Sequence, residues 1–320
     1  MPLSGWITPV LTVSAVLAVL VLLISWAGRL HPLFELFTNA PRIIFVVALT
    51  GLIVAGVARL AVQAGAFAVV ALVFAAQFIP LVFPVEARAE GESTFRALQY
   101  NIFFGNEDIT AMTELIQTSD ADVIALHEIT TEQWAALQPG LGDWPHTIAE
   151  PWDGPEPQLG GGMVLLSRTP IEPMDVDSEA NLLGRPILAG TTELAGQQTV
   201  VVGLHPHASR HDAWKAETRE AQLDAVVELL DEQVGPAIIL TDLNMTPTSS
   251  SYRRFIDELE WEDPHRTVGW VGSWPNWAGP YGLPIDHVLT SPEVVIHDIA
   301  SIDGAGSDHR ALVADLSLGS

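Results

Sequence analysis

The chain opens with three hydrophobic runs that are almost free of charge. Residues 6–27 carry no charge, residues 43–62 are interrupted only by Arg59, and residues 64–85 are again uncharged. Each run is close to the ~20 residues that an α-helix needs to cross a hydrocarbon core. The pattern therefore predicts, in residues 1–85, an anchor built as a bundle of about three transmembrane helices.

From Thr94 the pattern changes, after a charged linker at residues 86–93, to short apolar strands that alternate with amphipathic helices. The strand-like runs cover residues 95–101, 122–126, 160–167, 199–204, 237–240 and 311–316, and helical spacing covers residues 108–117 and 213–233. Repeated strand–loop–helix units predict a layered α/β fold with the sheets inside. One domain is expected over residues 94–320.

Charge divides the chain in the same place. Of its 14 basic and 39 acidic residues, residues 1–85 hold three basic and one acidic, which leaves 11 basic and 38 acidic and a formal charge of −27 for the remainder. Such a surface repels polyanions and lacks the counterion release that drives non-specific DNA binding. A small phosphodiester or a lipid headgroup is thus a more favourable substrate than long nucleic acid, although solubility alone also explains the charge.

The chain contains no cysteine, which excludes disulfides, thiolate zinc sites and cysteine nucleophiles. Polar residues follow several predicted strands where those strands end: Asn101, Glu128 and His205. Taken alone, each has an ordinary structural alternative as a solvated carboxylate, an Asx-turn or a surface histidine.

Asp242 and Asn244 are stronger candidates. Four apolar residues lead directly into them, and strand alternation directs both side chains to one face. A carboxylate and an amide on one face can accept a proton from water and donate to a phosphate oxygen. The alternative is an Asx-turn ahead of Pro247.

Two aspartates and a histidine near the C-terminus form the sharpest signal. Asp286 precedes an apolar strand, and Asp308 with His309 follows a glycine-rich turn. A histidine beside a carboxylate is an oriented acid, base or phosphate donor. The other histidines are expected at the surface: His207, His211 and His265.

Oxygen ligands dominate these candidates, so Mg²⁺, with Mn²⁺ as the alternative, fits better than zinc. Trp274 lies in a tryptophan-rich loop at residues 270–277 and is a candidate for substrate binding by stacking, unless it only packs the loop.

Six motifs in sequence order resemble the endonuclease/exonuclease/phosphatase superfamily, which includes deoxyribonucleases, abasic-site endonucleases, inositol-polyphosphate phosphatases and neutral sphingomyelinases. The motifs are residues 99–101, 125–128, 203–205, 241–244, 285–287 and 307–309. The resemblance implies a four-layer α/β sandwich with two packed mixed β-sheets. It also implies hydrolysis of phosphodiester bonds by attack of a metal-activated water.

By this resemblance Glu128 is the main magnesium ligand, assisted by Asn101 and Asp308. The sequence departs from the family pattern at two flanking positions, where Thr241 replaces a glycine and His127 replaces a glutamine. Neither change removes a ligand.

The same resemblance implies the catalytic roles. Asp242 positions or deprotonates the attacking water, and Asn244 holds a phosphate oxygen. His205 and His309, the latter oriented by Asp286, stabilise the pentavalent phosphate.

The resemblance does not specify the substrate. A nuclease and a lipid or small-molecule phosphoesterase both agree with it, and a catalytically degenerate, membrane-displayed binding module is the non-enzymatic alternative. Clustering of Arg168, Arg185 and Arg210 around the site would favour nucleic acid. The expected partners are a phosphate-ester substrate and membrane lipids around the N-terminal helices, with no obligate protein partner.

The orientation of the anchor is less constrained. Arg29 and Arg42 flank the first connection and favour the catalytic domain in the cytoplasm by the positive-inside rule, while Arg59 favours the opposite. The arrangement resembles that of membrane-anchored bacterial members of the superfamily. The resemblance implies a multi-pass protein of the cell membrane with an extracytoplasmic catalytic domain.

Overall fold

The computed structural model describes residues 4–26, 28, 31–84, 94–154, 161–176, 185–209 and 212–319; the predicted linker at residues 86–93 lies outside them. The helices are α1 (Ser4–Trp26), α2 (Pro32–Thr38), α3 (Pro41–Val57), α4 (Ala61–Val82), α5 (Ile109–Ser119), α6 (Thr131–Leu137), α7 (Ala213–Asp231), α8 (Ser250–Leu259) and α9 (His265–Val268). The strands are β1 (Phe95–Asn101), β2 (Val123–His127), β3 (His146–Glu150), β4 (Met163–Ser167), β5 (Ile171–Pro173), β6 (Ile187–Leu194), β7 (Gln197–Leu204), β8 (Ala237–Asp242), β9 (Asp286–Thr290), β10 (Val294–Ile302) and β11 (Ala311–Leu318).

The three apolar runs form α1, α3 and α4, but the middle helix is shorter than predicted. Among the described residues, Trp6–Trp26 and Ala61–Val82 are long and apolar enough to cross a membrane, judged by length and composition alone. The run predicted over residues 43–62 is helical over Pro41–Val57, which is 17 residues. The helix ends here because Arg59 has a φ of 58°, a left-handed conformation that does not continue a right-handed helix.

Two mixed sheets form the rest of the molecule. Their strand orders are β10–β11–β1–β2–β4–β3 and β5–β6–β7–β8–β9. In the first sheet β1 and β2 are parallel, in the second β7 and β8 are parallel, and the other neighbouring pairs are antiparallel. The two parallel pairs contact each other across the sandwich, where β8 packs on β1 and β2.

Alternation along the strands produces the layers. In β1, Ala97 packs between the two sheets, whereas Leu98 and Tyr100 pack against α5 on the outer face. In β8, Ile238 packs between the sheets and Ile239 packs towards α7 and α8. The order helix, sheet, sheet, helix confirms the predicted four-layer α/β sandwich with two packed mixed sheets.

A short helix between the first two apolar helices docks on the sandwich. Glu35 of α2 forms an ion pair with Arg219 of α7 at 2.7 Å, and the two side chains are 3% and 4% exposed. Ser249 donates a hydrogen bond to Glu35 at 2.5 Å. The backbone N–H of Thr246 donates to Asn39 Oδ1 at 2.8 Å. Because a buried charge left unpaired is strongly destabilising, these contacts hold α2 firmly on the sandwich.

Candidate active site

The predicted polar residues meet at one end of the sandwich. Asn101 ends β1, Glu128 follows β2, His205 follows β7 and Asp242 ends β8. The carboxyl ends of the two parallel pairs therefore contribute all four, and Asp286 lies beside Asp242 in the register of β8 and β9. In α/β folds the active site usually lies just outside the carboxyl ends of the parallel strands.

Asp242 is the centre of the network, with 1% of its side chain exposed. Its Oδ2 accepts a hydrogen bond from Asn101 Nδ2 at 2.9 Å and lies 3.3 Å from His205 Nε2 and 3.7 Å from His309 Nε2. Its Oδ1 accepts from the backbone N–H of Asn244 at 2.9 Å. Burial raises the pKa of Asp242, but His309, His205 and the hydrogen bonds outweigh it and hold that pKa below its ordinary value. The group is therefore a carboxylate.

His309 and Asp286 form a buried pair. His309 Nδ1 lies 2.8 Å from Asp286 Oδ2, and Gln99 Nε2 donates to the other carboxylate oxygen at 2.8 Å. Burial raises the pKa of Asp286, opposed by His309. Burial lowers the pKa of His309, but Asp286 and Asp242 outweigh it and raise that pKa to about 10. His309 is thus an imidazolium whose Nε2 faces Asp242.

Glu128 is presented by an unusual turn. Its φ of 59° is in the left-handed region, which is uncommon for residues other than glycine and recurs at functional sites. Its side chain is 17% exposed, with Oε1 3.7 Å from His205 Nε2. The backbone N–H of Ile129 donates to Gly162 O at 3.1 Å and fixes the turn against β4.

Gly162 leaves no room for a side chain beside this turn. An ideal Cβ would lie 2.0 Å from Ile129 O and 2.2 Å from Trp152 N, both backbone atoms. We expect Gly162→Ala to destabilise the protein by about 1–3 kcal/mol, the usual range for overpacking. Thermal unfolding of the full chain in detergent measures this. Gly142→Ala is the matched control, because no atom lies within 4 Å of its Cβ position; equal unfolding temperatures for the two variants would contradict the close packing.

A cleft opens beside Glu128 and His309, and both Asn244 and Trp274 line it. Asn244 has a φ of 55°, and its side-chain amide donates to Pro206 O at 3.2 Å. Trp274 Nε1 donates to Asp308 Oδ2 at 3.1 Å, so this tryptophan also orients a predicted ligand. Stacking of Trp274 on a substrate stays a prediction.

Two buried residues that the site candidates did not include lie beside His205. Arg185 is 7% exposed, and its guanidinium contacts His205 Nε2 and lies 3.4 Å from His205 O. His127 packs edge-on against His205, with ring centroids 5.8 Å apart. Burial, followed by the charge of His205, lowers the pKa of His127 to about 3, so its ring is neutral. His127 could be recognised in the sequence because it lies at the end of a strand, whereas no local pattern distinguishes Arg185.

The expectation that His207 and His265 lie at the surface is wrong, since they are 4% and 3% exposed. His265 is drawn inward by polar partners: its Nε2 lies 3.0 Å from His287 Nδ1 and its Nδ1 lies 2.7 Å from Gly269 O. His211 lies outside the described residues.

One set of residues has the donor chemistry of a hard-cation site. Asn101, Glu128 and Asp308 offer only oxygen ligands, which suit Mg²⁺ or Mn²⁺. Glu128 and Asp308 line the same cleft, and Asn101 is buried next to His309, with Asn101 Nδ2 3.5 Å from His309 Nε2. By donor chemistry these three residues are the candidate ligands of a divalent cation, and the side-chain oxygen of Asn101 also accepts a hydrogen bond from the backbone N–H of Phe103 at 3.0 Å.

A second cluster also brings ligand atoms together. Asp242, Asp286 and His309 place one such atom each within 4.8 Å of the others. Both oxygens of Asp286 already accept hydrogen bonds, from Gln99 and His309. This cluster is therefore better suited to proton handling than to holding a cation.

Comparison with known proteins agrees with this geometry. Residues 98–309 match the Endonuclease/Exonuclease/phosphatase family. No curated protein matches the chain significantly.

Several solved structures share the fold. An endonuclease/exonuclease/phosphatase from Beutenbergia cavernae is 22% identical over 71% of this chain and 72% of that chain, with a TM-score of 0.55. A mannosyl-6-phosphatase from Bacteroides thetaiotaomicron is 17% identical over 70% and 100% of the two chains, with a TM-score of 0.56. The human Nocturnin catalytic domain is 17% identical over 72% and 97%, with a TM-score of 0.56. At these identities the structures establish the fold, and the match over residues 98–309 establishes more: the chain belongs to the endonuclease/exonuclease/phosphatase family.

Proposed function

We propose that the chain is a membrane-tethered phosphoesterase that hydrolyses phosphodiester bonds with a divalent cation and an activated water. The network around Asp242 carries this proposal, because Asn101, His205 and His309 all lie within 3.7 Å of its buried Oδ2. A carboxylate held ionised in such a network can accept a hydrogen bond from a water and orient it for attack.

Each residue has a different role in a displacement at phosphorus. Asp242 orients the attacking water and accepts its proton, while His309 donates from Nε2 to a phosphate oxygen. Asp286 orients His309 through Nδ1 and stabilises its positive charge. His205 and Asn244 are assigned the remaining contacts to phosphate oxygens.

The cation is assigned to Asn101, Glu128 and Asp308. When bound, Mg²⁺ or Mn²⁺ supplies charge stabilisation at the phosphate and lowers the pKa of a bound water. Trp274 holds Asp308 in position through its indole N–H, 3.1 Å from Oδ2.

The distribution of positive charge supports a small phosphodiester over long nucleic acid. Arg168 forms an ion pair with Asp120, and Arg254 is paired with three acidic neighbours, so neither is available to a phosphate backbone. Arg185 lies in the site, whereas Arg210 lies outside the described residues. Dispersed, neutralised arginines provide little of the phosphate neutralisation on which DNA binding depends.

We further propose that α1, α3 and α4 cross the membrane, with the catalytic part at the end shared by Trp26, Pro41 and Val82. The 17 residues of α3 are at the short limit of the ~17–25 that a span requires. Three crossings place Ser4 and the catalytic part on opposite sides. The extracytoplasmic side is assigned from the resemblance to membrane-anchored bacterial members of the superfamily, which is given more weight than the two arginines, Arg29 and Arg42, that flank the first connection.

The test of the proposed function uses the full chain in detergent with MgCl₂ or EDTA. Its substrates are bis-p-nitrophenyl phosphate, p-nitrophenyl phosphate and plasmid DNA. Magnesium-dependent release of p-nitrophenol from the diester is expected, with little cleavage of DNA. Absence of turnover on all three substrates by folded protein would overturn the proposal in favour of a binding module, and faster cleavage of DNA would identify a nuclease.

Asp286→Asn is expected to lower kcat by about 10²–10⁴-fold, because His309 loses the carboxylate that orients and charges it. His309→Ala should cost a similar factor, and the double variant little more than the worse single one, since the two residues act as a unit. Steady-state kinetics of the three variants measures this. Asp315→Asn is the matched control because it removes only a partly exposed pair with Arg96 at the far end of β1; multiplicative losses in the double variant would contradict the pairing.

A further inference from the structure

One wall of the active-site cleft is built by the anchor. The cleft has a volume of about 470 Å³. Glu35 and Leu36 of α2, and Asn39 directly after it, line the cleft together with the candidate site residues Glu128 and Asp308. Since α2 connects the first two apolar helices, the membrane segment and the catalytic residues enclose a single cavity.

The cleft also lies close to the ends of the apolar helices. Helix α1 ends at Trp26 and α3 begins at Pro41, so α2 lies at the level where both meet the catalytic part. At the end of α4, the backbone oxygen of Leu81 approaches Gly269 so closely that a Cβ built on this glycine would lie 3.0 Å from it. If the helices span a bilayer, these contacts among the described residues place the cleft at its surface.

A second segment carries the side chains typical of a membrane surface. The aromatic loop (Asn276–Tyr281) exposes Trp277 and Tyr281, at 87% and 79%. Arg42 at the start of α3 donates to Tyr281 O at 3.4 Å, and its guanidinium lies 3.9 Å from the ring centroid of Trp270. Tryptophan and tyrosine concentrate at membrane–water interfaces, and arginine at a helix end reaches the same level.

The aromatic loop is joined directly to the site. The backbone N–H of Asn276 donates to Asp308 O at 2.6 Å. Trp274, which precedes the loop, donates to the Asp308 carboxylate. One continuous segment therefore contacts a candidate cation ligand and presents aromatic side chains at the helix ends.

The cleft holds basic groups that can bind a phosphate, as well as the carboxylates of Glu35, Glu128 and Asp308. Arg185 and Lys215, the latter the single lysine of the chain, both line it. Leu36, Leu283 and Ile285 add apolar lining on the same cavity. A phosphate attached to a hydrocarbon tail matches this combination better than a fully polar ester does.

We propose that the substrate is a phosphodiester carried by a membrane lipid and hydrolysed in the bilayer that holds the anchor. The phosphate enters between α2 and the aromatic loop, while the hydrocarbon chain stays in the bilayer. A water oxygen bonds to phosphorus, one ester P–O bond breaks, and the proton lost by the water balances the leaving alkoxide as an alcohol. This inference rests on the proposed function and adds the substrate class.

The test compares two esters with the same scissile bond. The full chain is reconstituted in phosphatidylcholine vesicles with MgCl₂ and given p-nitrophenyl hexadecyl phosphate, which enters the bilayer, or p-nitrophenyl methyl phosphate, which stays in water. We expect kcat/KM for the hexadecyl ester to exceed that for the methyl ester by about tenfold or more, because both reactants are confined to one surface. The double variant Trp277→Ser, Tyr281→Ser should lower this ratio about tenfold, equivalent to ~1.4 kcal/mol of lost anchoring.

The control is Val234→Ser. Val234 is fully exposed and lies before β8, at the end of that strand away from Asp242. It should leave the ratio unchanged, and thermal unfolding confirms that each variant is folded. Equal turnover of the two esters by the wild-type chain would overturn the lipid inference and leave the proposed function intact. An unchanged ratio in the aromatic variant would overturn the interfacial role of the loop, whereas hydrolysis of neither ester would overturn the proposed function as well.

Discussion

Asp242→Asn is expected to lower kcat by about 10²–10⁴-fold, the range for loss of a positioned general base. The substitution keeps the shape of the side chain and an oxygen that can accept the hydrogen bond from Asn101. It removes the negative charge to which His205 and His309 are drawn, at 3.3 Å and 3.7 Å. An amide cannot accept the proton of the attacking water at neutral pH, so the loss appears in kcat rather than in substrate affinity.

The measurement is steady-state hydrolysis of bis-p-nitrophenyl phosphate by the full chain in detergent with saturating MgCl₂. Asp231→Asn is the matched control, because Asp231 is exposed at the end of α7, beyond the amino end of β8. It removes the same charge without touching the cleft. A kcat for Asp242→Asn within about threefold of that control, far below the ~10²–10⁴-fold effect of a general base, would exclude Asp242 as the base.

Glu128→Gln is expected to raise the Mg²⁺ concentration for half-maximal activity. The increase should exceed ~10–100-fold, because that is the usual loss of metal affinity when only a residue hydrogen-bonded to a ligand is changed. The amide keeps one oxygen but not the charge that balances a divalent cation. Because Asp242 and His309 are unchanged, activity should recover in part at high Mg²⁺. This recovery separates a ligand from a proton-transfer residue.

Titration of MgCl₂ against activity measures the shift, and calorimetric titration with Mn²⁺ reports binding without turnover. Glu232→Gln is the matched control, since Glu232 caps the end of α7 and is exposed. An unchanged Mg²⁺ dependence in Glu128→Gln, or a complete loss that no Mg²⁺ concentration restores, would remove Glu128 from the ligand set.

Local patterns were sufficient for most of the central elements. The strand predicted over residues 95–101 is β1, and Asp108 caps α5 as its position before an apolar helical stripe indicates. Central strands such as β1 are buried on both faces, so their apolar runs are unbroken and easily recognised. The edge strands β3, β5 and β10 were not predicted because partial exposure leaves a weaker pattern, and the largely buried interior strand β6 was not predicted either.

The site residues also differ in whether local sequence was sufficient to identify them. Strand ends indicated Asn101, Glu128 and Asp242, because the carboxyl end of a buried strand is a recognisable position in the sequence. Arg185 was not selected as a site residue, since its contact with His205 depends on how β6 and β7 pair. The burial of His265 likewise depends on a partner 22 positions away, His287.

Hydrophobic periodicity and the order of polar residues at strand ends were enough to predict the apolar N-terminal helices, a layered α/β fold and several polar residues that the structure brings together, because each depends on local sequence. Tertiary packing was needed for everything that joins distant segments. The docking of α2 through Glu35 and Arg219 joins residues 184 positions apart, and the pKa of His309 depends on carboxylates from two other strands. Electrostatic fields and cavity walls are properties of assembled groups, so the cleft that α2 shares with the candidate site residues exists only in the folded chain.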